Sequence, residues 1–202
     1  LSSMFEGCLA LASLDVSKFD TKNVENMNKV FYACEKLTSI DVSKFDTSKV
    51  SVMSSMFDRC SSVRSITFGK VDTSQVTNMN SMFSRCYSLI SLDISSFQTS
   101  NVISMTQMFE SCSSLTSLDL SNFVGTKVKN MHSMFRNCYK LTSINLSNFD
   151  AKNIENLNFV FQDCTSLKSL DISKIDTSQA RFFTNTFSNC SSLEAIDLSR
   201  FN

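Results

Sequence analysis

The chain has 202 residues, 42% apolar and 19% charged, with 19 Lys plus Arg against 19 Asp plus Glu. That balance excludes the basic excess by which a nucleic-acid binder displaces counterions, and the apolar content excludes a disordered polyampholyte. No apolar run reaches the roughly 18 residues of a membrane span, and the composition is otherwise odd: 18 Phe, 10 Met and 8 Cys, with no Trp and no Pro.

The chain opens on Leu1-Ser2-Ser3 without an initiator Met or a signal pattern, so a mature chain or a piece of a longer one is expected. The first complete unit begins at Leu14 and Val16, which alternate with polar neighbours as in a short strand. Asp20-Thr21-Lys22-Asn23 follows as a polar turn, and its Asp and Thr suit a helix N-cap. Val24, Met27, Val30, Phe31 and Cys34 come next, with spacings of 3, 3, 1 and 3. That spacing predicts one face of a short helix. Leu37, Ile40 and Val42 then read L-x-x-L-x-L and return the chain to a strand.

This unit recurs without insertion or deletion. The cysteines at 8, 34, 60, 86, 112, 138, 164 and 190 are each 26 residues apart, and a Phe stands three positions before every one of them. Fourteen of the 18 Phe fall in two columns, and all ten Met fall in two others, so the composition reflects repetition of position. The core side chains of one repeat release too little free energy on burial to order 26 residues. A lone repeat is therefore expected not to fold, and stacked repeats are.

L-x-x-L-x-L followed by a helix-like segment is the leucine-rich repeat pattern. The longer motif, as in LISLDISSFQTSNVISMTQMFESC from Leu89 to Cys112, resembles the BspA-like leucine-rich repeat surface proteins of anaerobic bacteria, mycoplasmas and mucosal protists, and it does so over the whole chain. The expected fold is an α/β leucine-rich-repeat solenoid of about eight coils. A parallel sheet lines its concave face and short helices its convex face, in a single domain over residues 1–202. The ends carry no capping sequence, because Leu1 starts inside a helix-like segment and Asn202 stops at a turn. Continuation of the chain on at least one side, or end-to-end self-association, is expected to cover them. The resemblance further implies a surface-exposed or secreted location and a host extracellular-matrix or serum protein as partner.

Three sets of columns bear on function. One Cys per coil makes a line of thiols, which does not supply the tetrahedral pairs a zinc site uses. Parallel Cβ vectors on neighbouring coils also disfavour a disulfide. A ladder of buried free thiols is the expected role. The second set is an acidic row on the strand face, at Asp15, Asp41, Asp93, Asp119, Asp171 and Asp197, with Thr67 and Asn145 as exceptions. Strands stack at ~4.8 Å, so neighbouring carboxylates repel by about 1 kcal/mol. The row is read either as a binding face for basic segments or a cation such as calcium, or as a solvated row accepting hydrogen bonds from nearby serines. Lys18, Lys44, Lys70, Lys174 and Arg200 offset part of the charge; Ser96, Asn122 and Asn148 do not, which makes the coils around Asp93 and Asp119 the most negative.

The third set is where the repeat departs from itself. Phe159 occupies a column that is polar in the other repeats, and Phe182 the column of Asn26, Asn78, Asn130 and Asn156. They are read either as one exposed aromatic contact patch or as local repacking, since Ala180, Phe183 and Thr186 change nearby. Thr67-Phe68-Gly69 marks a local change of coil shape. His132 is the only histidine and lies in a polar column with no triad around it. There is no Gly-rich phosphate loop, and Asn145-Leu146-Ser147 and Asn189-Cys190-Ser191 match the glycosylation sequon. No enzyme, resident metal or cofactor is expected. A surface binding module and a passive spacer carrying another domain are the two functions left.

Overall fold

The structure, a computed structural model, describes residues 1–201; Asn202 lies outside the described residues. Six short strands form three parallel pairs. β1 (Ser39–Asp41) pairs with β2 (Ser65–Thr67), β3 (Ser117–Asp119) with β4 (Ser143–Asn145), and β5 (Ser169–Leu170) with β6 (Ala195–Ile196). Every register step is one repeat: Ser39 faces Ser65, Leu118 faces Ile144, and Leu170 faces Ile196. β1 to β4 keep the alternation read from the sequence, their central residue turned inward. The expected continuous sheet of eight strands is instead three separate pairs, because the strands are only two or three residues long.

The convex helices do not form: among the described residues there is none. The segments that carry the 3, 3, 1, 3 spacing are ribbons of consecutive turns. Within the ribbon Tyr32 N–H donates to the Lys29 carbonyl (3.1 Å) and Cys34 N–H to the Phe31 carbonyl (3.1 Å). The alternate N–H groups point along the stack. Met27, Lys29, Phe31 and Ala33 donate to the carbonyls of Val52, Ser54, Met56 and Asp58 on the next coil, at 2.8–3.1 Å. A helix would have spent those donors on carbonyls four residues back in its own chain. The geometry is set by two left-handed positions in every ribbon. Ser3, Lys29, Ser55, Ser81, Gln107, Ser133, Phe159 and Asn185 form one column, and Gly7, Ala33, Arg59, Arg85, Ser111, Asn137, Asp163 and Asn189 form the other. A left-handed residue every fourth position cannot occur in a right-handed helix.

Between strands and ribbons runs one continuous apolar core. Its spine is the Phe column, in which Phe5, Phe31, Phe57, Phe83, Phe109, Phe135, Phe161 and Phe187 stack with centroids 5.4–5.8 Å apart and planes within 13°. Each thiol from Cys34 to Cys190 donates to the carbonyl of the Phe on the coil before, at 3.1–3.2 Å. At the corner after the strand, Thr takes the role that was read as a helix cap. Thr47 Oγ1 donates to the Asp72 carbonyl (2.8 Å) and accepts from the Asp72 N–H (2.8 Å). Thr21, Thr73 and Thr99 clasp their next coils in the same way.

The odd third repeat has a packing reason. Phe68 sits edge-on to Phe57, Phe83 and Phe97 at 5.1–6.2 Å. A Cβ on Gly69 would overlap the Ser43 carbonyl, so only glycine lets the two backbones lie this close.

Candidate functional site

All six aspartates of the strand-face row are exposed, in three neighbouring pairs, Asp15 with Asp41, Asp93 with Asp119 and Asp171 with Asp197; Thr67, opposite Asp41, and Asn145, opposite Asp119, separate the pairs. Each folds into an Asx turn. Its Oδ1 accepts the backbone N–H of the serine two residues on, at 2.8–3.0 Å, from Asp15 with Ser17 to Asp197 with Ser199. The backbone N–H, then the hydroxyl, of Ser17, Ser121, Ser173 and Ser199 hold Asp15, Asp119, Asp171 and Asp197 below the ordinary carboxylate range. For Asp41 and Asp93 the hydroxyls of Ser43 and Ser95 lead, with the same direction. At neutral pH the row is therefore fully ionised. The hydrogen bonds from serine are those of the solvated-row reading, and they also fix the direction in which each carboxylate faces.

A second acidic row, which the sequence reading passed over as part of a cap, runs along the corner. Asp46, Asp72 and Asp176 accept N–H groups from Ser48, Ser74 and Ser178 at 2.9–3.0 Å, and Asp20 and Asp150 pair with Lys22 and Lys152. The signal available in the sequence was the Asp-x-Ser spacing at Asp46, Asp72 and Asp176, the same as in the strand-face row. In the middle of the molecule this second row is interrupted by Gln98 and Val124. There an open groove of about 670 Å³ is lined by Lys70, Asp72, Ser96, Gln98 and Asn122. Asp93 and Asp119 thus stand beside a neutral corner.

Among the described residues no three His, Cys, Asp or Glu side chains are grouped to hold a metal ion. All eight cysteines are free. Burial pushes the thiol of Cys34 up to about 11 and that of Cys112 up to about 12, so they stay protonated and unreactive at neutral pH.

The ribbon face holds the two irregular aromatics. Phe159 is half-buried, with the His132 ring edge-on at 5.5 Å and the Arg136 guanidinium 5.5 Å from its centroid. Phe182 is 52% exposed on the next coil, and its backbone carbonyl accepts the Leu157 N–H at 2.9 Å. Among the described residues no ring contact joins Phe159 to Phe182; Phe183 turns instead to Phe201, at 5.9 Å. Both sequons are unremarkable in place: Asn145 lies on β4 and Asn189 is bonded to Asp163 at 2.7 Å.

Comparison with known proteins supports the fold. The sequence matches a family described as Mycoplasma protein of unknown function, DUF285, over residues 1–89, 61–144 and 116–202, which together span the chain. No curated protein matches it. A leucine-rich repeat protein of T. pallidum is similar in structure, with a TM-score of 0.56 at 23% identity, over 82% of this chain and 69% of that one. A leucine-rich repeat protein of Eubacterium ventriosum gives a TM-score of 0.53 at 17% identity, over 88% of this chain; the chain spans 49% of that protein's length. At these identities the likeness shows the fold alone: parallel strands in a leucine-rich repeat stack. No helix among the described residues is long and apolar enough to cross a membrane.

Proposed function

Because the chain belongs to the DUF285 family and folds as a leucine-rich repeat protein, we propose that it is a non-enzymatic, adhesin-type binding module, displayed on or released from a cell surface. Its partner in this reading is a host or neighbouring-cell protein, of the extracellular-matrix or serum class that the BspA-like resemblance implies. The observation that carries the proposal is the ionised Asp row on the strand face. It offers fixed carboxylates in pairs one coil apart, and around the pair Asp93 and Asp119 no lysine offsets them. Such a row suits a partner that presents basic side chains along an extended segment. Calcium enters this reading only as a bridge between neighbouring carboxylates. The matched family and the solved relatives indicate no enzyme family.

The test is capture on immobilised fibronectin, fibrinogen, collagen and laminin, with calcium and with EDTA, beside an Asp93→Asn/Asp119→Asn variant of unchanged circular dichroism. Saturable capture lost in the variant is expected. Capture retained in the variant moves the site off the strand face. No capture on any of the four favours a second reading, a passive spacer, which the unbroken 26-residue register also suits.

A further inference from the structure

Within the described residues, three buried side-chain polar atoms have no hydrogen-bond partner: Ser133 Oγ, Arg136 Nε and Gln162 Oε1. They lie together. Ser133 stands one repeat before Phe159 in the same column, Gln162 stands one repeat after Arg136, and Gln162 N–H donates to the Phe159 carbonyl at 3.2 Å. Buried polar groups are nearly always paired, so a cluster of exceptions needs a cause.

Phe159 is the second irregularity at this place. Its φ of +60° lies in the left-handed region, where a bulky side chain is a genuine outlier. The other coils put Ser, Asn, Lys or Gln there. Strain of this kind survives where the surroundings hold it, and it concentrates at ligand sites. Here the ring lies edge-to-face with His132, at 5.5 Å, and 5.5 Å from the Arg136 guanidinium carbon.

Charge is the third. Arg136 has no carboxylate within ion-pair distance among the described residues, whereas Arg85, two coils earlier, bridges Asp58 (3.4 Å) and Glu110 (3.5 Å). The Arg136 cation lies over the Phe159 ring, half-buried and unneutralised.

From these observations we infer that His132, Ser133, Arg136, Phe159 and Gln162 form a receptor for a carboxylate side chain on an acidic segment of a partner protein. Arg136 supplies the fork that matches a carboxylate, and Phe159 holds it flat and walls off water. Ser133 and His132 flank it as further donors; Gln162, whose unpaired atom is the acceptor Oε1, closes the far side once its amide turns to present the Nε2–H. One guanidinium and one imidazole suit a single planar carboxylate. A polyphosphate needs a field of cations, and this chain has no net excess of them. The site is on the ribbon face, across the core from the Asp row, so it stands or falls independently of the strand-face reading.

The experiment is an NMR titration of the whole chain with a capped octapeptide of alternating Gly and Glu, beside its Gly/Gln counterpart and inorganic phosphate. Saturable shifts of the Arg136 Nε–H, His132 and Phe159 ring signals with the Glu peptide alone are expected. Arg136→Gln should weaken binding about tenfold, the loss typical of a charge-assisted fork. Phe159→Asn removes the ring but keeps a residue at home in the left-handed region, as Asn185 is in the same column. It is expected to fold, with circular dichroism matching the parent, and to weaken binding several-fold. Asp93→Asn/Asp119→Asn should change nothing. Equal shifts with the Gln peptide or with phosphate overturn the assignment. So do shifts confined to the surface lysines, or unchanged binding in Arg136→Gln.

Discussion

At the scale of single residues, the left-handed columns decide the architecture. Fifteen non-glycine residues hold φ between 52° and 62°, each at a cost of about 1–2 kcal/mol relative to the right-handed region. The cost is met because the thirteen from Ser3 to Asp163 also donate their N–H to the next coil, as Lys29 and Ala33 do. Ala33→Gly should relieve the backbone and raise stability by about 1 kcal/mol, and Ala33→Val should lower it by more than that. Urea denaturation of the pair distinguishes the two signs.

These positions also explain what sequence reasoning missed. Spacings of 3, 3, 1 and 3 turn side chains inward in a ribbon of turns as well as in a helix, so periodicity could not separate them. The distinguishing signal was the character of the two columns: Ser, Asn, Asp and Gly recur there, and all are poor helix formers at home in turns. The strand-face row was legible because period-two alternation has no such double. The Phe159 cluster was half legible. Its residues stood out as exceptions, but their juxtaposition with His132 and Arg136 depends on coil stacking.

Titration divides the carboxylates into two kinds. Hydrogen bonds from serine lower the row from Asp15 to Asp197 from the ordinary 3.8. Its contribution to stability is present above that value and is lost as pH falls through the folded values. Asp58 is the reverse. Burial raises it, Arg85 and Arg59 only partly opposing, so the fold favours its protonated form and bears a cost once it ionises. Asp58→Asn should therefore be at least as stable as the parent at pH 7, since Arg85 keeps Glu110. Its advantage should shrink as the pH is lowered and Asp58 takes up its proton. Chemical denaturation across that range reads the sign directly.

At the scale of elements, the coils are joined by polar clasps as much as by strands. Thr73 Oγ1 donates to the Gln98 carbonyl at 2.8 Å and accepts the Gln98 N–H at 2.6 Å. Thr73→Val keeps the shape and removes both bonds, leaving the part-buried Gln98 N–H without its acceptor. A loss of about 2 kcal/mol is expected in thermal or urea unfolding. The clasp is absent where the column holds Gly125 and Ala151. It cannot simply be restored there, because a Cβ on Gly125 would lie 3.0 Å from both the Ala151 methyl and the Phe149 ring. Close packing of two coils replaces the hydroxyl at this one step. The sequence showed the substitution; only the stacked backbones show why it is tolerated.

At the scale of the whole molecule, the Phe stack and the thiol ladder run the length of the core. Cys34 through Cys164 are fully buried, while Cys8 and Cys190 at the two extremes are half-buried. Under native conditions a thiol reagent should modify Cys8 and Cys190 first and reach the inner six only on unfolding. Mass spectrometry of the labelled chain reads that order. Rapid native labelling of Cys86 or Cys112 would contradict the buried ladder. The eight-fold recurrence that makes this core was the most legible property of the sequence, because one register error would have broken every column.

The clasps and ribbon bonds between coils all lie along the direction in which the coils stack. A load applied between the two ends of the stack would thus pull on one intercoil seam at a time, as on the teeth of a zip. Each coil that gives way frees 26 residues, roughly 90 Å of slack at ~3.4 Å per residue, while the coils behind it keep their packing. A protein held in flow at a cell boundary would yield by measured lengths under tension and re-stack when the tension falls.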